Sequence, residues 1–274
     1  MNVSQARYIT ELLHRFAMDE VRPSRTPMVP NTRLDTIKTT DEVSSCELTR
    51  MRRVPYRQAL GALLYLARVS RPDIAFTVNQ LARHCSQPIQ LAWDAAKYLM
   101  RYLSDTKDYY LKLAATQSTR LVVTTDADWV NDKSNRKSVG GRIVYLFGCP
   151  VHWSSSQQGI VALSSTAAEF IAASEGQTQS EWIKLMVDSV LKVDESVPPP
   201  LCLRMDSKSV IRRVKRDGSS DTQNAVDVRF HAVKDAFKSD LLTLSYLPSS
   251  IMPADTLTKS LVPKECDTKR LFAA

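Results

Sequence analysis

The chain has 274 residues, a length for one large or two ordinary domains, and 43% are apolar, enough for a packed core and too many for wholesale disorder. Its seven glycines form no glycine-rich phosphate loop, which excludes a P-loop or dinucleotide-type nucleotide site. A formal charge of +8 and a pI near 9.3 fit a polyanionic partner, nucleic acid first and an anionic membrane surface second, and equally a plain basic surface.

The five cysteines (Cys46, Cys85, Cys149, Cys202, Cys266) are scattered, with no Cys-x-x-Cys pair and no histidine at zinc spacing. Reduced thiols, as in an intracellular protein, are expected. Residues 1–19 include Arg7, Glu11, His14 and Arg15 and no uninterrupted apolar stretch, so no secretory signal is expected there. No apolar run approaches the length of a membrane-spanning helix.

In chain order, Ile9, Leu12, Leu13 and Phe16 recur at helical spacing and predict an amphipathic helix ending near Arg22-Pro23. Residues 23–50 are polar and rich in Pro, Thr and Ser, and are expected to form a linker or extended arm. Three helices follow, striped by Tyr56, Leu60, Leu63, Leu64 and Ala67, by Ile74, Ala75, Val78, Leu81 and Ala82, and by Trp93, Ala96, Leu99, Met100 and Leu103. Residues 1–105 therefore read as an all-helical block. Beyond Asp108 the pattern turns to strands, expected at Tyr109 to Leu113, Arg120 to Asp126, Arg142 to Phe147, Val151 to Ser154 and Ile160 to Leu163. A helix is predicted from Thr166 to Leu191, its inner face formed by Ala168, Ile171, Ala172, Trp182, Leu185 and Met186. After Pro198-Pro199-Pro200 come a strand at Leu201 to Met205, a helix from Ser207, a helix from Asp227 to Phe237, a strand from Leu241 to Leu247, and a last short helix. This order needs a mixed sheet with helices on its faces: an α/β domain preceded by a small all-helical region.

Four carboxylates occupy informative places in this order. Asp126 closes a strand, Glu169 lies early in the long helix, Asp206 ends a strand, and Asp255 opens the last helix. Acids at strand ends and helix starts of a β/α region can converge and hold divalent metal, which points to hydrolysis of nucleic-acid phosphodiesters. Each also has a plainer role: Glu169 as an exposed helix carboxylate, Asp206 and Asp255 as helix caps, with Asp128 a rival to Asp126 on the same strand face. Trp129 and Trp153 read as core aromatics before they read as stacking platforms.

Several phrases extend this reading. Thr125-Asp126-Ala127-Asp128-Trp129, Asn135-Arg136-Lys137-Ser138, Trp153-Ser154-Ser155, Ala162-Leu163-Ser164-Ser165-Thr166 with Ala168-Glu169-Phe170, and Ala254-Asp255-Thr256-Leu257-Thr258-Lys259 occur in one order. Residues 121–261 thereby resemble the ribonuclease H domain of Copia-type (Ty1/copia) retrotransposon polyproteins. Ser4-Gln5 with Tyr8-Ile9 is similar to the tail of the reverse transcriptase region in the same polyproteins, and Gly61 to Leu66 with Ser70-Arg71-Pro72-Asp73-Ile74 to the connecting region. The resemblance implies a reverse-transcriptase tail at 1–22, a polar linker at 23–54, a helical connection at 55–108, a ribonuclease H-like domain with a mixed five-stranded sheet at 109–262, and a C-terminal tail at 263–274. No Tyr-x-Asp-Asp motif occurs, so polymerase activity is excluded.

By this resemblance, Asp126, Glu169, Asp206 and Asp255 map onto catalytic carboxylates that hold two Mg²⁺ ions, with Mn²⁺ as an alternative, to cut the RNA strand of an RNA–DNA hybrid. Arg136, Lys137, Arg142, Arg212, Arg213, Lys215 and Arg216 are the expected phosphate footprint. The resemblance also implies a glutamate at Ala167 and a histidine at Ala225, both of which this chain lacks. As a free-standing chain it looks, further, like Copia-derived members of the oomycete secreted RxLR effectors. That likeness implies a plant host protein as partner and, after secretion, action in the host nucleus or cytoplasm. Arg50-Met51-Arg52-Arg53 is a degenerate RxLR-like run, read from sequence as a solvated basic loop.

Overall fold

A computed structural model of the chain describes residues 1–30, 32, 34, 44–115, 121–132, 135–191, 200–216 and 224–263, with no side chain described at 191 and 224–228. Arg120, Pro198-Pro199, most of the expected linker between 31 and 43, the tail from 264 and the side chain of Ala225 lie outside the described residues. The chain divides into two compact units, one of residues 1–113 with 132–135 and 259–274, the other of residues 114–131 and 136–258.

The first unit contains β1 (Asn2–Ser4), α1 (Ala6–Arg15), α2 (Ser45–Met51), α3 (Tyr56–Val69), α4 (Ala75–Ala82), α5 (Gln90–Asp105) and β2 (Tyr110–Lys112). Its core is the set of predicted stripes: Ile9, Leu12 and Leu13 of α1, Leu60 and Leu63 of α3, and Leu99 and Leu103 of α5 are all buried. At its centre lies Arg71, whose guanidinium is bidentate to Asp73 and donates to the Thr106 carbonyl, between the rings of Tyr102 and Tyr109. Two expectations are corrected here. Residues 1–105 are not all helical, because β1 pairs antiparallel with β2, so Tyr110–Lys112 belongs to this two-stranded sheet and not to the larger one. Three-residue strands carry too little periodicity to announce a partner so distant in sequence. The polar arm contains a helix, α2, whose start is fixed by Ser44 Oγ accepting from the Glu47 amide.

The second unit is built on one mixed sheet of β3 (Leu121–Asp128), β4 (Val139–Leu146), β5 (Cys149–Gln157), β6 (Leu201–Met205) and β7 (Leu242–Tyr246), in spatial order β5-β4-β3-β6-β7. β5, β4 and β3 form an antiparallel meander, and β6 and β7 run parallel to β3. The β4–β5 hairpin turns through Phe147 and Gly148, both at positive φ, the geometry that matches strand twist in a two-residue loop. The parallel crossovers pass through α6 (Ser165–Leu191), α7 (Lys208–Lys215) and α8 (Asn224–Lys238). Val123, Val144, Leu203, Met205, Phe170, Val210, Val214, Phe230 and Val233 form the core between sheet and helices, with Phe170 and Phe230 edge to face at 5.1 Å.

Two further expectations fail in this unit. Ile160 to Leu163 is a loop: Ile160 and Ala162 turn inward and Val161 and Leu163 outward, so the strand-like alternation is real but has no strand pairing with it among the described residues. On α6, Trp182 is 58% exposed and Leu185 69%, with Met186 exposed as well. Ala168, Ile171 and Ala172 are buried as expected, and the inner row runs from Ala168 and Ala172 on to Gly176 and Ser180, one helical turn apart, because small residues let the helix lie close on β3. A Cβ at Gly176 would stand 2.6 Å from Thr125 Cγ2.

Candidate metal centre

The register of β3 on β6 sets the geometry. Thr124 pairs with Arg204 across the parallel ladder, so Asp126 and Asp206, each two residues further on, reach the same level at the carboxyl ends of adjacent strands. That end of a parallel pair is where open α/β sheets bind ligands. The third acid comes from α6. Ser164 Oγ accepts from the Ala167 amide and so caps the helix, and the small buried row holds its first turns against the end of β3. Ala167 thus occupies the third helical position, where a glutamate would complete a capping box with Ser164; its loss removes a capping group and no metal ligand. Glu169 Oε1 accepts from the Ala127 amide at 3.3 Å.

One carboxylate oxygen from each of Asp126, Glu169 and Asp206 lies within 4.8 Å of the other two. Asp126 is buried and the other two are half-buried. Asp255 is not part of this group, although the structure brings it to the same region. It sits buried on a 3₁₀ turn, Pro253–Leu257, on the sheet face that carries Asp126 and Gly141. Thr258, just beyond, is buried and donates its hydroxyl to Asp126 Oδ2, while Ser249 donates to Asp206 Oδ2 at 2.6 Å.

Burial pushes the Glu169 carboxyl well above its ordinary value; the neighbouring Asp126 and Asp206 push it further, the Ala127 amide opposes the shift, and Asp255 adds a smaller push. Its Oε2 is buried without a hydrogen-bond partner among the described residues. A buried acceptor beside two like charges is costly unless a proton or cation joins it. Three oxygen donors of this kind fit a hard divalent ion such as Mg²⁺ or Mn²⁺, and offer neither the imidazole nor the thiolate that softer metals favour.

The expected phosphate footprint separates into two groups. Arg136, Arg212, Arg213, Lys215 and Arg216 are exposed, and Lys137 is half-buried. Arg212, Arg213 and Lys215 lie on α7, which begins two residues after Asp206, and the Arg213 guanidinium also rests over the rings of Phe170 and Phe230. Arg142 is different: its guanidinium pairs with Glu175 of α6 at 2.8 Å, with Arg229 on the same carboxylate at 3.6 Å. It joins sheet to helix and is not part of an exposed footprint. In the first unit, Arg50 and Met51 end α2 with Met51 packed in the core, and Arg52 and Arg53 form the exposed turn that follows, so only the second half of the RxLR-like run is a solvated basic loop. Trp153 is half-buried on β5, Trp129 is exposed, and the exposed His231 ring packs beside Phe230.

Gly141, Thr258 and Ser249 position the carboxylates and were not singled out from sequence. A glycine pair inside a strand pattern, as at Gly140-Gly141, is the available signal for close backbone approach. A Cβ on Gly141 would meet the Ala254 carbonyl at 2.8 Å, so only glycine lets the turn bearing Asp255 settle against the strand beside Asp126.

A five-stranded mixed sheet with its first three strands antiparallel, crossover helices on its face and carboxylates at the ends of its adjacent parallel strands defines the second unit as ribonuclease H-like. No family model matches the chain. It is 33% identical over 263 residues to the retrovirus-related Pol polyprotein from transposon TNT 1-94 of Nicotiana tabacum, covering 96% of this chain and 19% of that polyprotein. It is 41% identical over 133 residues to secreted RxLR effector protein 161 of Plasmopara viticola, covering 48% of this chain and 94% of that protein. Among solved structures, LC11-RNase H1 in complex with RNA/DNA hybrid aligns with a TM-score of 0.35 at 18% identity, over 51% of this chain and 94% of that one. Over 96% of its length the chain is similar to a segment of this Copia-type retrotransposon Pol polyprotein, and it spans about a fifth of the polyprotein's length.

Proposed function

We propose that the second unit is a divalent-metal-dependent nuclease of the ribonuclease H type, acting on the RNA strand of RNA–DNA hybrids. The observation that carries this reading is the meeting of Asp126, Glu169 and Asp206 oxygens within 4.8 Å at the carboxyl end of the parallel strands. These three residues would hold the metal, two Mg²⁺ ions or Mn²⁺ in their place, with Asp255, buried on the nearby 3₁₀ turn, as the fourth acid of the set. Such ions, when bound, supply Lewis-acid polarisation of the phosphodiester and a lowered pKa for the attacking water.

The chain's own residues orient and position. Thr258 and Ser249 each tie one oxygen of Asp126 and Asp206, and the Ala127 amide ties Glu169 Oε1, so each carboxylate is turned before any ligand arrives. Exposed Arg136, Arg212, Lys215 and Arg216 supply positive charge for phosphates, and 2′-hydroxyl contacts across the wide minor groove would separate RNA from DNA. The test is cleavage of an end-labelled RNA–DNA hybrid by the purified chain in Mg²⁺ or Mn²⁺. Cleavage by the wild type, lost in Asp126→Asn, is expected; an inactive wild type in both metals would overturn the reading.

A second reading is favoured by the match that covers 94% of an RxLR effector. In it, the inherited fold serves as an interaction scaffold in plant host cells, in the nucleus or cytoplasm, and suppresses defence-associated cell death. Asp126→Asn with Asp255→Asn separates the two. Suppression in leaf tissue that survives loss of the acids would assign the role to the surface and not to the chemistry.

A further inference from the structure

Trp129 is where the second unit departs from the core role expected of its aromatics. It follows β3 directly and is 47% exposed, yet its indole N–H is already used, donating to the Ala162 carbonyl at 3.0 Å. The exposure therefore does not serve to bring the polar edge to water; an apolar surface is being held outside. The next residue, Val130, has φ 52, a left-handed conformation that a β-branched side chain adopts only under strain. That bend is fixed on both sides: the Val130 amide donates to Ser138 Oγ at 3.3 Å, and Asn131 Nδ2 donates to Asp128 Oδ2 at 2.6 Å. The loop that accepts the indole hydrogen bond carries two more exposed apolar side chains, Val161 and Leu163, the latter 69% exposed, and leads into the helix bearing Glu169.

An exposed apolar lip, locked by a hydrogen bond and a strained turn, thus adjoins the carboxylates. Trp129 is the first residue past β3, and Ala162, whose carbonyl holds its indole, packs in one cluster with Ala127, Ala167 and Ala168 next to Glu169. We propose that Trp129, flanked by Val161 and Leu163, is a nucleotide subsite: the indole stacks on the base or sugar face of the nucleotide next to the phosphate held at the acid cluster. The inference rests on the nuclease reading and adds the residue that grips the substrate there. Every base has a π-face, so the contact tolerates any sequence and adds affinity without selecting bases. The anchored ring has few conformations to lose on binding, which favours stacking over a mobile side chain.

The test uses the full chain with cleavage blocked by Asp126→Asn and a fluorescein-labelled RNA–DNA hybrid, followed by anisotropy over a range of salt. Trp129→Ala is expected to weaken binding about tenfold and leave the salt slope unchanged, because stacking releases no counterions. Trp129→Phe, which keeps a ring and loses the indole hydrogen bond, should stay within about threefold of the parent. Leu163→Ala removes a side chain too exposed to support the fold, and is expected to weaken binding about two- to threefold, so the subsite stays testable if Trp129→Ala misfolds. Unchanged affinity in a folded Trp129→Ala, or in Leu163→Ala where Trp129→Ala does not fold, overturns the subsite and leaves the nuclease reading standing. A parent chain that does not bind the hybrid, together with a wild type that does not cleave it, overturns both.

Discussion

Gly141→Ala tests the construction of the site without removing any candidate ligand. The added methyl would stand 2.8 Å from the Ala254 carbonyl oxygen and from Leu257 Cβ, and 2.9 Å from Thr258 Cγ2, where ordinary Cβ contacts begin at 3.4 Å. Backbone and the first atoms of side chains cannot rotate away, so the 3₁₀ turn must retreat by roughly half an ångström. Overpacking of this kind costs about 1–3 kcal/mol, offset in part by the roughly 0.4–1 kcal/mol that alanine gains from a stiffer unfolded chain. The control is next door. A methyl on Gly140 would meet nothing closer than 3.7 Å, and neither glycine has positive φ, so Gly140→Ala carries the same unfolded-state gain without the clash. Urea denaturation of the pair should differ by about 1–3 kcal/mol. Thr258 moves with the turn and holds Asp126, and metal ligands tolerate displacements of only about 0.5 Å, so Mn²⁺ affinity by calorimetry should fall about 10- to 100-fold in Gly141→Ala alone. Equal stability and equal Mn²⁺ affinity in the two variants would refute the close-approach account.

The raised Glu169 pKa gives a pH dependence whose sign follows from linkage: the metal-free folded state binds this proton more tightly than the unfolded chain does, so stability falls as pH rises from the ordinary value of 4.5 through the raised one. Glu169→Gln should abolish that fall, which approaches about 1.4 kcal/mol per pH unit at most, and should make the metal-free protein more stable than wild type at neutral pH; denaturant titrations across pH measure both. Metal binding to the wild type below the raised pKa should release a proton, seen as a heat that varies with the ionisation enthalpy of the buffer. Arg142→Ala should lower stability by about 1–3 kcal/mol and leave the salt slope of hybrid binding unchanged, whereas Arg212→Ala should leave stability within about 0.5 kcal/mol and reduce the slope by about 0.9. Phe170→Ala should cost about 3–5 kcal/mol and Trp182→Ala less than about 1, reversing the weight that hydrophobic patterning assigns to Trp182.

The strands that carry the acids were legible because Leu121 to Asp126 and Leu201 to Asp206 each pair an apolar run with a polar end, and parallel pairing then makes the two aspartates level. Other features were hidden for identifiable reasons. The row of α6 that lies on β3 is Ala, Gly and Ser, which contributes little hydrophobic signal; Phe170, Ile171 and Ile183 are buried as well, but Trp182, Leu185 and Met186, which weigh as heavily in any such signal, point outward. The loop at 160–163 alternates like a strand, because inward and outward burial needs no ladder partner. Arg142 reads as a phosphate contact until Glu175, more than thirty residues away, is seen to take its charge. α2 could have been found in the polar arm, since Ser44 and Glu47 have the spacing of a capping box.

Several departures from pattern in the second unit fall around the acid cluster. Gly141 and Gly176 surrender side-chain contacts where the backbone must come close, Val130 is strained beside Trp129, and Glu169 Oε2 is buried without a hydrogen bond. None of these adds stability to the metal-free chain; each is a local cost that the core of Val123, Leu203, Phe170 and Phe230 has to offset. Phe147 and Asp240 are also at positive φ, in turns elsewhere in the unit; the costs beside the carboxylates are of the kind that a preorganised site imposes on its fold. The missing glutamate at Ala167 concerns a helix cap, and the three acids, their Thr258, Ser249 and Ala127 supports and the glycine that admits the turn are all present. The physical case for chemistry in this chain therefore rests as much on the supports as on the carboxylates, since supports without a ligand to orient would be strain with no return.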